Sequence, residues 1–116
     1  MDPMQAVQSA FGNYANFNGR ARRSEYWWFF VVVNVVVGAL VFAGGVALPA
    51  LAGVGGLVGL ASLLPALAVT VRRLHDTDRS GLWILLGLVP FGGLVLLVFF
   101  AQPGTSGPNS YGPDPL

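Results

Sequence analysis

The stretch YWWFFVVVNVVVGALVFAGGVALPALAGVGGLVGLASLLPALAVTV, from Tyr26 to Val71, runs for 46 residues without a charged side chain. As one helix, at about 1.5 Å per residue, it would reach about 69 Å. A bilayer core is about 30 Å thick and takes about 20 residues per crossing. The stretch therefore holds two crossings and a turn. Gly44, Gly45, Pro49, Gly53, Gly55 and Gly56 are the residues at which a chain reverses, which predicts spans over 26–47 and 52–71. Val31, Val32, Val33, Val35, Val36 and Val37 would favour a strand in water. In lipid each segment must satisfy its own backbone, and a helix does so.

A second uncharged run, Gly81 to Ala101, is 21 residues long with Pro90-Phe91-Gly92-Gly93 at its middle. It predicts a third, kinked crossing over 81–101, since membrane helices accept such breaks where neighbours satisfy the freed carbonyls. The alternative is a re-entrant hairpin that returns to the side it entered. The fold class expected is all-α: an integral membrane helical bundle of about three transmembrane helices, with a short N-terminal interfacial helix, forming a single membrane domain over 1–116.

Composition agrees. The chain is 54% hydrophobic and 9% charged, against roughly 25% charged in an ordinary soluble domain. It cannot cover a water-facing surface with charge. A net charge of +1 gives no electrostatic footprint for nucleic acid. The absence of Cys removes disulfides and thiolate metal sites.

Residues 1–25 read as an interfacial segment. Asp2-Pro3 is an N-cap followed by proline at the first helical position, and Met4, Val7, Ala10 and Phe11 recur at helical spacing. The run from Asn13 to Gly19 ends that helix, and its aromatic residues suit a head-group layer. No short apolar core of the kind found in a secretory signal precedes Tyr26, so the first span is expected to serve as its own insertion signal, without cleavage. The tail, 102–116, holds four Pro and three Gly and is expected to be turn-rich rather than helical.

All six basic residues are Arg. Arg20, Arg22 and Arg23 precede the first span, and Arg72, Arg73 and Arg79 follow the second. Two crossings bring both groups to one side, which the positive-inside rule makes cytoplasmic. The N-terminus is then cytoplasmic, and a third crossing would put the tail outside.

Chemistry is confined to these two clusters. In the first, Arg22 and Arg23 suit phosphate head groups, and Glu25 at the membrane edge calls for a partner. Ser24 and Glu25 are also placed to help cap the incoming helix. The second holds Arg72, Arg73, His75, Asp76, Asp78 and Arg79. Arginine forks grip carboxylates or phosphates, so the cluster suits an anion site. It equally suits a self-satisfied turn in which Asp76 or Asp78 bonds the arginines and Asp78 or Ser80 caps the next helix. His75, Asp76 and Asp78 form only a weak metal pattern, since adjacent ligands seldom close a coordination shell alone. No metal, cofactor or catalytic residue is expected.

The polar residues within the spans are Asn34, Ser62 and Thr70. None ionises, which argues against proton-coupled transport by this chain alone. Gly38, Gly44, Gly45, Gly55, Gly56, Gly59 and Ala61 permit close helix contact. No phosphate-binding loop and no Gly-x-Ser-x-Gly elbow is present.

Three motifs resemble a known family. The segment Phe11-Gly12-Asn13-Tyr14-Ala15-Asn16-Phe17-Asn18-Gly19-Arg20-Ala21-Arg22-Arg23-Ser24-Glu25-Tyr26-Trp27 is similar to the entry motif of the small bacterial inner-membrane family known as domain of unknown function 805. Arg73-Leu74-His75-Asp76-Thr77-Asp78-Arg79-Ser80-Gly81 resembles its central motif. Pro103-Gly104-Thr105 and Asn109-Ser110-Tyr111-Gly112-Pro113-Asp114-Pro115 resemble its closing motif. Ser110 stands where the family commonly has Arg, and Pro108 where Glu is common. The resemblance implies a bacterial multi-pass inner-membrane protein and no particular activity. If the three motifs form one site, the tail must lie on the cytoplasmic side, which favours the re-entrant form of 81–101.

The function expected is that of a small membrane scaffold or accessory protein. Its cytoplasmic Arg-rich face (Arg22, Arg23, Arg72, Arg73 and Arg79) would bind an anionic lipid head group or a partner. Membrane lipids are the expected partners, with a homo-oligomer or another membrane protein as further candidates and no nucleic acid. The alternatives are an oligomeric channel or transporter subunit lined by Asn34, Ser62 and Thr70, and a membrane enzyme using His75 with Asp76 or Asp78.

Overall fold

The computed structural model describes residues 1–115, so Leu116 of the expected tail lies outside the described residues. The order is α1 (Pro3–Gly12), α2 (Arg23–Val46), α3 (Pro49–Asp76), a 3-10 helix (Gly81–Leu88) and α4 (Gly92–Ala101). The tail follows, and it holds an isolated β-bridge between Asn109 and Gly112.

The N-terminal helix forms as its sequence dictates. Asp2 accepts from the Gln5 N–H at 2.7 Å, and the Gln5 side chain accepts from the Asp2 N–H at 3.1 Å, a reciprocal cap for two backbone donors. Ala6 and Ala10 are fully buried, and Phe11 meets Phe29 of α2 edge-on at 5.7 Å.

The second and third helices have 24 and 28 residues, with mean hydropathy 2.5 and 2.0 over their most apolar windows. Only 11% and 28% of those windows are buried within the protein. Core helices of soluble proteins are mostly covered by their own fold. These present Val35, Phe42, Val46, Leu57 and Leu60 outward, each more than 60% exposed, as a lipid-facing helix does. At about 1.5 Å per residue the two are about 36 and 42 Å long, enough to cross a core of about 30 Å.

The turn between them is tighter than the glycine pattern predicts. It consists of Ala47 and Leu48, whose N–H groups both donate to the Ala43 carbonyl, at 2.9 and 3.2 Å. The glycines at 44–56 lie inside helices instead. A Cβ on Gly44 would overlap Ala52, and one on Gly55 would sit 3.0 Å from the Leu40 Cβ. Their missing side chains let two backbones approach, the usual role of small residues between membrane helices. Helix α3 also continues five residues past the predicted end of the span, carrying Arg72 to Asp76 on its last turn and a half.

The run 81–101 is not one kinked crossing. The 3-10 helix and α4 fold back on each other: Trp83 meets Phe99 edge-on at 5.6 Å, and a Cβ on Gly87 would touch Leu96 at 3.6 Å. At the reversal Pro90 cannot donate to a helix ladder. Phe91 adopts a left-handed conformation with φ 64°, and Gly92 packs on the Leu86 carbonyl where a Cβ would collide. The two ends come together, with the Arg79 guanidinium 3.9 Å above the Phe99 ring and bonded to the Gln102 side chain at 3.3 Å. Among the described residues, two helices are long and apolar enough to span a membrane, and the expected third span is a hairpin of two shorter elements.

The limbs of this hairpin measure about 16 Å for eight 3-10 residues and about 15 Å for ten α residues, each half the thickness of a bilayer core. The buried core (Tyr26, Phe29, Val69, Leu74, Leu96 and Phe100, with Ala10 and Ala21) gathers where α2 begins and where α3 and α4 end. The best-packed end of the molecule is thus the end that carries the arginines.

Candidate functional site

The chain folds its three polar motifs into one clasp. Arg20 lies in the extended segment before α2 and is 9% exposed. Its Nε donates to the Asp76 Oδ1 at 2.9 Å. Its other nitrogens donate to the tail, to the carbonyls of Gly107 at 2.6 Å and Thr105 at 2.5 Å. Arg73 is fully buried. It donates to the Asp76 Oδ2 at 2.5 Å, to the Phe100 carbonyl at 3.0 Å and to the Ala21 carbonyl at 3.3 Å, and it also bonds the Gln102 carbonyl. It thereby satisfies carbonyls that the end of α4 leaves without helical partners. Asp76 sits between the two guanidiniums as a shared counter-ion.

The tail is held to α3 by the Thr105 N–H, which donates to the Asp76 carbonyl at 2.7 Å, and folded on itself by the Gly107 N–H, which donates to the Asp114 Oδ2 at 3.0 Å. A Cβ on Gly104 would overlap the Asp76 carboxylate, so a residue without a side chain is required where the tail crosses the ion pair.

His75 and Asp78 hold the remainder of the tail. The His75 ring stacks on Tyr111 with centroids 4.0 Å apart and planes 2° from parallel. Its Nδ1 is 2.9 Å from the Gly19 carbonyl, which can only accept, so that nitrogen carries the proton. Asp78 adopts a left-handed backbone conformation, with φ 59°, and its Oδ1 accepts from the Ser110 N–H at 3.1 Å. Of the two carboxylates expected to bond the arginines, Asp76 does so and Asp78 serves the tail. His75, Asp76 and Asp78 each face a different partner and do not converge on a point. Ser80, not Asp78, caps the next helix, accepting from the Leu82 N–H at 3.2 Å.

Glu25 and Arg72 form a second buried pair at 2.9 Å, with side chains 4% exposed on both sides. It ties the first turn of α2 to the last turns of α3, and so supplies the partner that Glu25 calls for at the membrane edge. Glu25 lies in the first turn of α2, where an acidic residue suits the positive end of the helix dipole, but neither it nor Ser24 makes a cap bond: the cap residue is Arg22, without a side-chain cap bond. The Ser24 hydroxyl accepts from the N-terminal amine at 3.2 Å. The Nε and Nη2 of Arg72 are buried without a protein partner among the described residues.

Of the arginines expected on the binding face, Arg72 and Arg73 are buried inside the protein and Arg79 is half-buried against Phe99. Arg22 and Arg23 remain at an opening. They line a cleft of about 340 Å³ together with Ser24, Asp76, Pro103, Gly104, Thr105, Ser106 and Asp114. Arg22 donates through Nε and Nη2 to the Pro115 carbonyl, at 3.0 and 2.7 Å. Arg23 is exposed and donates to the Ala101 carbonyl at 3.3 Å.

Residues 14–113, spanning the clasp and both long helices, match the family described as Protein of unknown function (DUF805). The chain belongs to this family. It is 54% identical over 117 residues to the protein named Inner membrane protein YhaI of Escherichia coli (strain K12), covering 97% of this chain and 96% of that one. It is 47% identical over 112 residues to Inner membrane protein YhaH of the same strain, covering 89% of each. No solved structure matches it.

The sequence does not single out Arg20, whose guanidinium joins α3 to the tail, nor the tail carbonyls that receive Arg20, Arg22 and Arg73. The one available signal is that the closing motif holds no basic residue, and so brings acceptors and no competing donor charge to a face that already holds six Arg.

Proposed function

We propose that this chain is a small scaffold or accessory protein of the bacterial inner membrane whose cytoplasmic face holds the phosphate of a lipid head group between the start of α2 and the tail. The cleft lined by Arg22, Arg23 and Ser24 carries the proposal. It opens at the first turn of α2, which lacks a side-chain cap and so offers backbone N–H groups and a positive dipole end beside two guanidiniums.

Charge balance supports the same reading. Arg20, Arg22, Arg23, Arg72, Arg73 and Arg79 face Glu25, Asp76, Asp78 and Asp114, which leaves +2 (six minus four, with His75 neutral). Such a face belongs on the cytoplasmic side by the positive-inside rule. Both long helices then cross, the hairpin re-enters from the same side, and α1 and the loop after it lie in the interface with Met4, Tyr14 and Phe17 exposed.

The alternatives draw less support. Asn34 and Thr70 turn back on their own helices, donating to the Phe30 and Ala66 carbonyls at 2.7 Å each, and Ser62 is buried, so the spans offer no polar stripe for a pore. Asp76 is neutralised by two arginines, and His75 is committed to Gly19 and Tyr111, which leaves no acid–base pair facing an opening.

The test is lipid retention by the purified full-length protein, measured by native mass spectrometry. A phosphatidylglycerol should be retained over a phosphate-free glycolipid of equal chain length, and Arg22→Gln combined with Arg23→Gln should abolish the difference. Equal retention of both lipids by the wild-type protein would remove the proposal.

A further inference from the structure

Asn34 carries a polar side chain on the lipid-facing surface of α2. It is exposed, and it lies 11 residues (34 minus 23) after Arg23, where α2 begins. At about 1.5 Å per residue that is about 17 Å into a hydrocarbon core of about 30 Å, close to its mid-plane. One amide N–H donates to the Phe30 carbonyl at 2.7 Å. The second N–H and the Oδ1 have no partner among the described residues. Neither acyl chains nor bulk water supply one at that depth, and an unanswered polar group in hydrocarbon is costly.

The residues around the amide form a seam. Val31, Asn34, Gly38, Val41 and Gly45 follow one another at intervals of three, four, three and four, the spacing that keeps one stripe of a helix against a parallel partner. All five are exposed. A Cβ on Gly38 or Gly45 would meet nothing within 4 Å, so these two glycines pack against nothing inside the protein, unlike Gly44 and Gly55. They leave room for a second backbone, as small residues between membrane helices do.

We propose that this face of α2 docks a second copy of the chain, in parallel, about a two-fold axis along the membrane normal. The amide selects the occupant. Asn is both donor and acceptor and so is its own complement, and the axis brings the Asn34 of each copy to the same depth. The free N–H of each then donates to the Oδ1 of the other. A polar residue at one seam position also fixes the register and number of paired helices, at some cost in stability. A single amide pair latches two helices and lines no pore. The proposal does not depend on the head-group reading, which concerns the start of α2 and the tail.

The experiment gives the full-length protein, which has no Cys, a single thiol by Ser106→Cys and labels it with a donor or an acceptor dye. The two preparations are reconstituted together in vesicles of phosphatidylethanolamine and phosphatidylglycerol, and energy transfer is followed as lipid is added. A dimer should form. Asn34→Leu presents lipid with an apolar side chain, which leaves the monomer folded, and should weaken the dimer about tenfold. Gly38→Leu should weaken it at least as much by filling the space for the second backbone. Gly53→Leu, on α3 nearly opposite Gly55 and with an equally open Cβ position, should leave it unchanged. Absence of energy transfer at every protein density overturns the proposal. So does a dimer that Asn34→Leu leaves as tight as before, or one that Gly53→Leu weakens and Gly38→Leu does not.

Discussion

Asp76→Asn should release the tail without unfolding the helices. Three arginines (Arg20, Arg72 and Arg73) and two carboxylates (Glu25 and Asp76) are buried at this end, a balance of +1. The substitution leaves three cations against Glu25 alone, a balance of +2. It preserves shape and one acceptor oxygen but removes the charge that receives Arg20 at 2.9 Å and Arg73 at 2.5 Å. Removing one partner of a buried pair costs about 3–5 kcal/mol, because the other is left desolvated and uncompensated. Arg20 reaches water most readily by letting go of the Thr105 and Gly107 carbonyls, so the cost falls on tail docking. At 1.4 kcal/mol per factor of ten, the undocked population rises at least about 100-fold, up to full opening. Hydrogen exchange reads this directly. The Thr105 N–H donates to the Asp76 carbonyl, and the Ser110 N–H to the Asp78 Oδ1, only while the tail is docked, and their exchange should accelerate by about that factor. Amides in the middle of α2 and α3 should be unchanged. Gly104→Ala should have the same effect with no change of charge, since its Cβ would overlap the carboxylate. Wild-type protection of Thr105 and Ser110 in a folded Asp76→Asn protein would refute the reasoning.

A single Cys placed at Ser106, in a chain that has none, should resist a membrane-impermeant thiol reagent in intact cells and react after lysis, since the hairpin brings the tail to the arginine side; labelling in intact cells would mean that 81–101 crosses. Gly44→Ala should destabilise the α2–α3 pair by about 1–3 kcal/mol through overpacking against Ala52, with Gly38→Ala as the control because nothing lies within 4 Å of its Cβ position; unfolding curves in detergent give both values, and equal midpoints would count against the close approach. Glu25→Gln should cost about 3–5 kcal/mol by stranding Arg72, and adding Arg72→Met should recover much of that loss. A double-mutant cycle with no coupling would mean that the pair does not hold the helices together.

The membrane character of α2 and α3 was legible in residue order because it depends on a local property. A stretch of 46 residues without charge has no soluble form that hides it, and lipid leaves the helix as its only self-satisfied backbone. The Asp2 cap of α1 was legible for the same reason, since a cap acts within one turn, while the reciprocal bond from Gln5 came only with the structure. The turn at Ala47 and Leu48 was not. A glycine in a sequence reads equally as a turn or as a contact, and only the packing of Gly44 on Ala52 and Gly55 on Leu40 distinguishes the two. The hairpin at 81–101 was legible as an alternative, through Pro90 and the glycines after it. Length alone favoured a crossing.

The sequence by itself determined that the charge is segregated into clusters flanking apolar runs, and that the positive residues share one side. Those facts follow from composition and from the spacing a bilayer imposes. Tertiary structure decided which arginines are ligands for the protein and which are left for something else. Arg20 and Arg73 meet Asp76 and the tail carbonyls across separations of up to 92 residues, while Arg23, three positions from Arg20, stays exposed. A guanidinium satisfies whichever carboxylate or carbonyl folding brings within about 3 Å, and that choice is made by helix packing and by the return of the hairpin, neither of which is written in the order of the residues that carry the charge.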